Sequence, residues 1–166
     1  MVSVRDWSLF SPGRTTGFRR LGSCAWLRPV STSKATSSQR LVDVNDVTLR
    51  VTEAGERGAP VVVLVHGFPE LAYSWRHQIP ALAAAGYHAV APDMRGYGRS
   101  STYTRHEDFA QEEIVADMVE LLAALGRDRA VWIGHDWGSP VVWNMAAHHA
   151  DKTVGVASLC VPYLSS

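Results

Sequence analysis

Apolar positions along the chain fall into two regimes. Val47, Leu49 and Val51 alternate with Thr48, Arg50 and Thr52, which is the period-two pattern of a strand with one buried face. With residues 41–44 before it and the turn pair Asn45-Asp46 between, this predicts a hairpin. Residues 53–58 read as a polar, glycine-bearing loop. Residues 60–65 and 130–133 are instead apolar without interruption. Continuous runs of this kind predict strands covered on both faces, as in a parallel sheet. Residues 87–91 and 154–161 complete the strand set, with Pro162 ending the last.

Helical spacing fills the gaps. Trp75, Ile79, Leu82 and Ala83 predict a helix over 75–85, stopped by Gly86. Ile114, Met118, Leu121, Leu122 and Leu125 form the apolar stripe of a helix over 109–125, ended by Gly126. A third helix follows Gly138 and runs to Ala150. Strands alternating with helices give an α/β fold, a mostly parallel sheet with helices on both faces. In such sheets sites gather at the carboxyl ends of the strands. Two glycine-flanked stretches, 66–70 and 134–138, fall at such ends.

Composition changes the picture at one end only. At 166 residues, with 46% hydrophobic and 19% charged residues, the chain has the profile of one globular domain. No apolar run is long enough to span a bilayer. Cys24 and Cys160 have no metal or disulfide spacing, and a reducing compartment is expected. The zero net charge conceals an asymmetry. Residues 1–40 hold seven basic residues and one acid, Asp6, and the remainder holds nine basic and fifteen acidic residues. An Arg- and Ser-rich, acid-poor leader fits a mitochondrial or plastid transit peptide. It fits an unstructured tail on a cytoplasmic protein equally well. Residues 1–40 are set apart, and 41–166 are taken as the folded portion.

The candidate chemistry centres on Gly134-His135-Asp136-Trp137-Gly138, placed between a strand and a helix. This resembles the nucleophile elbow of α/β-hydrolases with Asp in the place of Ser. Three further segments agree with it in order. His66-Gly67-Phe68-Pro69-Glu70, with Ser74-Trp75-Arg76 downstream, resembles the oxyanion loop of epoxide hydrolases. Asp93-Met94-Arg95-Gly96-Tyr97-Gly98-Arg99-Ser100 is similar to a loop found across that superfamily, and Ala157-Ser158-Leu159 with Pro162 looks like the strand leading into the cap domain. Ser139 departs from the glycine that many relatives carry. The resemblance covers roughly residues 41–166, which would be the N-terminal portion of an α/β-hydrolase fold that ends before the cap.

That resemblance implies conversion of an epoxide to a vicinal diol through an ester on Asp136, the nucleophile. Asp136 precedes a helix, whose positive dipole end favours the carboxylate. Backbone N–H groups of Phe68 and Trp137 would form the oxyanion hole. Pro69 has no N–H, so Phe68 is also the sensible donor on chemical grounds. Phe68, Pro69 and Trp137 would line the substrate site, supported by His66, Gly67, Gly134, His135 and Gly138. The implied partner is a small-molecule epoxide, with no cofactor, no metal and no nucleic acid. The family mechanism also uses a histidine, an acid and two cap tyrosines from later segments, so this chain is expected to be catalytically incomplete.

The blander readings are stated beside these. Asp136 can be a plain helix N-cap. His66 and His135 are expected to position loops, Asp93 and Arg95 to hold a loop together, and His148 and His149 to lie on the surface. A dehalogenase also uses an elbow Asp. Haloalkane dehalogenases tend to carry Asn or Glu at the position of Phe68, and fluoroacetate dehalogenases Arg at that of Trp137, so both positions favour epoxides. The remaining alternative is a non-catalytic fragment or isoform that associates with a partner through an exposed edge strand at 154–161.

Overall fold

The computed structural model describes residues 36–163. Six strands form one sheet in the order β1-β2-β4-β3-β5-β6. They are β1 (Ser38–Val44), β2 (Val47–Ala54), β3 (Val61–Val65), β4 (His88–Pro92), β5 (Ala130–His135) and β6 (Thr153–Leu159). The β1–β2 and β2–β4 pairs are antiparallel, and the β3–β4, β3–β5 and β5–β6 pairs are parallel. The mostly parallel α/β architecture is therefore present.

Helices cover both faces. On one face α2 (Gln111–Ala124) and α3 (Gly138–His148) bury Met118, Leu121, Leu122, Val141, Val142 and Met145 against Leu49, Val63 and Trp132. On the other, α1 (Gln78–Ala84) and the 3₁₀ turn Ala72–Trp75 bury Ile79, Ala72 and Trp75 against Val62, Leu64, Ala89 and Ala91. Central β3 and β4 are buried throughout, as continuous apolar runs require.

The structure departs from the sequence expectations in several places, one being that β6 ends at Leu159, short of the expected 161. β1 begins at Ser38, inside the segment that was set apart as tail, and Arg40 belongs to the fold. Its Nε donates to Glu53 at 3.0 Å. Glu53 and Ala54, expected in a loop, finish β2 instead. Glu53 is tolerated in the interior because Arg40, Arg57 (2.7 Å) and His88 (2.9 Å) all reach its carboxylate. The expected helix over 75–85 splits into the 3₁₀ turn and α1. Pro80 has no N–H for the carbonyl of Arg76 and its ring would clash there, so α1 starts at Gln78 and holds Pro80 in its first turn. The helix over 109–125 likewise divides at Ala110, whose ψ of 148° is extended. Finally, β5 alternates between buried and half-buried positions, because Val131 and Ile133 face the more sparsely covered α1 side.

β6 forms the edge of the described sheet, with Val154 and Leu159 exposed. Among the described residues, no helix is long and apolar enough to cross a membrane. The greater part of the basic leader, residues 1–35 with Cys24, lies outside the described residues, as do residues 164–166.

Candidate active site

Asp136 occupies the turn between β5 and α3 at φ 50°. A left-handed backbone is unfavourable for most side chains and tolerated best by Asn and Asp. Neighbouring bonds over-determine it. The Asp136 N–H donates to Leu159 O of β6 at 3.2 Å, and the Ser139 N–H donates to Asp136 O at 2.9 Å. The buried Ser139 hydroxyl also donates to Leu159 O, at 2.9 Å, so the residue that departs from glycine here fastens the elbow to the edge strand.

Three glycines are required by space. A Cβ on Gly134 would come within 3.0 Å of Gly138 O, one on Gly138 within 3.0 Å of Val65 O, and one on Gly67 within 3.0 Å of Asp136 Cβ. The first two obstacles are backbone atoms, which cannot swing aside. Strand, turn and helix therefore pack at backbone distance.

The loop after β3 closes over this elbow. The Phe68 N–H donates to Asp136 Oδ1 at 2.9 Å. The N–H groups of Phe68 and Trp137 hold the Asp136 carboxyl below the ordinary carboxylate range, so it is ionised at neutral pH. Pro69 follows Phe68 through a cis peptide. Phe68 and Trp137 are 62% and 64% exposed, which leaves both free to meet a ligand.

His66 is fully buried, and both of its ring nitrogens are engaged. Nδ1 lies 2.8 Å from Gly67 O and Nε2 accepts the Met94 N–H at 3.0 Å. This fixes a neutral ring that holds two loops together. Burial lowers its pKa below the ordinary value of 6.5, so the unfolded chain takes up the proton first. The stability His66 contributes is present above about pH 6.5 and lost as pH falls further. The urea midpoint is expected to drop between pH 7.5 and 5.5, and His66→Gln to flatten that drop. A wild-type midpoint constant over this range would contradict the assignment.

His135 lies beside Asp136 but turns its Nδ1 to Glu70 Oε2 at 3.1 Å. Burial pushes the Glu70 carboxyl up, but hydrogen bonds from His135 and the Gly67 N–H outweigh it and leave the pKa low. Glu70 thus links the loop after β3 to the elbow. Glu70 carries no expected role from the sequence, since nothing in its spacing from His135 reveals a pair 65 positions apart.

Asp93 and Arg95 hold their loop. Asp93 accepts from the Ala72 N–H at 2.8 Å and from Arg50 at 2.9 Å. Arg95 makes two bonds of 2.6 Å to the carboxylate of buried Asp117. Beside the elbow opens a cavity of about 630 Å³, lined mainly by apolar groups. Phe68 and Trp137, which flank Asp136, line it together with Tyr97, Phe109, Ile114 and Val141. The last four had no expected role at the site. Ile114 fitted a core stripe, and a helix stripe does not reveal which of its members faces a void. Among the described residues, no group of three or more His, Cys, Asp or Glu side chains is placed to hold a metal ion.

Comparison with known proteins places this geometry. A family model described as alpha/beta hydrolase fold matches residues 60–165. Epoxide hydrolase A of Mycobacterium tuberculosis is 62% identical over 127 residues, which cover 76% of this chain and 39% of that protein. Bifunctional epoxide hydrolase 2 of Sus scrofa is 42% identical over 167 residues, covering 100% of this chain and 30% of that protein. Among solved structures, epoxide hydrolase A from Mycobacterium thermoresistibile superimposes with a TM-score of 0.76 at 56% identity, over 78% of this chain and 40% of that one. An epoxide hydrolase from Vigna radiata gives 0.74 at 41% identity, over 77% and 41%. The chain thus spans well under half the length of these relatives. With the family model covering more than half of its residues, the chain belongs to the α/β-hydrolase fold family.

Proposed function

We propose that this chain carries the ester-forming half of an epoxide hydrolase. The observation that carries the reading is the 2.9 Å bond from the Phe68 N–H to Asp136 Oδ1. A held Oδ1 leaves Oδ2 free to attack an epoxide carbon. The C–Oδ2 bond forms, the ring C–O bond breaks, and the ring oxygen takes a proton from solvent. Oδ1 becomes the ester carbonyl oxygen. When water adds, negative charge develops on that oxygen, to which the Phe68 N–H already donates, with the Trp137 N–H as the second donor this reading requires. The names of the relatives support an epoxide as the substrate.

The test is covalent capture. Incubation with excess styrene oxide is expected to add the mass of one epoxide, and peptide mapping to place it on Asp136. The ester is expected to accumulate, because His66 has no free nitrogen with which to activate water and His135 is turned to Glu70. Diol release over many turnovers would show that the chain supplies its own base. Absence of both ester and diol would overturn the reading.

Two narrower proposals accompany it. The exposed apolar side chains of edge strand β6 support pairing with a second copy of the chain. A monomer in sedimentation at every concentration tested would refute it. The basic, acid-poor segment 1–40 fits delivery to a mitochondrion or plastid and a cytoplasmic location equally well. Imaging of a fluorescent protein fused behind that segment decides between them.

A further inference from the structure

We propose that the cavity beside the elbow takes the hydrocarbon arm of the epoxide and that the Phe109 ring sets how long that arm can be. The inference rests on the proposed function and adds a specificity-determining residue to it. The cavity is continuous with the reaction centre, since Phe68 and Trp137 belong to both. Its volume of about 630 Å³ lies within the range of roughly 300–1,000 Å³ typical of small-molecule sites.

Phe109 lines this cavity and is fixed from three sides. Gly96, at φ 83°, leaves room for the ring, which a Cβ there would strike. Tyr103 meets it edge to face at 6.4 Å. Arg95 donates to the carbonyl of the preceding residue, Asp108, at 2.8 Å. A ring so constrained, yet 37% exposed, is suited to act as a stop.

The test is the rate of ester formation on Asp136 across terminal epoxides from propylene oxide to 1,2-epoxydodecane. In the wild type each added methylene should raise the rate roughly fourfold until the arm reaches Phe109, and further methylenes should add nothing. Phe109→Trp should bring the plateau to a shorter arm, lowering the 1,2-epoxydecane to propylene oxide ratio about tenfold. Phe109→Leu, which keeps an apolar group over Gly96, should move the plateau to a longer arm. A wild-type rate independent of arm length overturns the inference, as does a plateau that neither folded variant moves. No ester with any epoxide overturns the proposed function itself, so the two failures are distinct.

Discussion

Asp136→Asn is expected to abolish covalent capture of epoxides, lowering the rate by about 10⁴-fold or more. An amide has no negative charge to direct at the ring carbon. Asn is the informative substitution because it alters the least. It tolerates φ 50° at least as well as Asp, whereas Ala would add backbone strain at the elbow. Its amide oxygen can still accept the Phe68 N–H, so the loop after β3 stays in place. The variant should therefore fold with a urea midpoint close to that of the wild type. Intact-mass measurement over equal times compares the two proteins. Adduct forming on the Asn variant at a rate near wild type would place the nucleophile elsewhere and reduce Asp136 to a cap.

The elbow was legible because backbone crowding leaves a trace in composition. Gly67, Gly134 and Gly138 are glycines because a neighbouring atom occupies the volume of a Cβ, and that constraint survives in any reading of the chain. Buried central strands were legible for a similar reason, since a strand covered on both faces has no polar positions to interrupt it. What stayed hidden depends on partners distant in sequence. Glu53 looked like a loop residue until Arg40, Arg57 and His88 converged on it. Glu70 and His135 meet only because two parallel strands, β3 and β5, bring their loops together. The split before α1 was readable in principle, since Pro80 forbids the longer helix, but the apolar spacing of Trp75 and Ile79 masked it. Phe109 and Ile114 were hidden because an apolar side chain facing a cavity has the same sequence signature as one facing the core.

Asp117→Ala is expected to cost about 3 kcal/mol of stability, near the lower end of the roughly 3–5 kcal/mol range for breaking a buried ion pair. Arg95 and Asp117 are each 1% exposed and share two bonds of 2.6 Å. The hydrogen bonds that Arg95 donates to Asp117 raise the pKa of an already strongly basic guanidinium, so losing this partner leaves a buried charge rather than a neutral base. Asp46 at 3.6 Å and Glu113 at 3.7 Å, both exposed, offset part of that loss, which is why the lower end is expected. A total folding stability on the order of 5–15 kcal/mol makes the effect large. Replacing both partners, Arg95→Met with Asp117→Leu, should recover most of it, because the penalty belongs to the unpaired charge and not to the absence of the pair. Urea unfolding of Arg95→Met, Asp117→Leu and the double variant completes the cycle. A double variant as unstable as the sum of the singles would mean that Arg95 acts mainly through its bond to Asp108 O, holding the Phe109 wall.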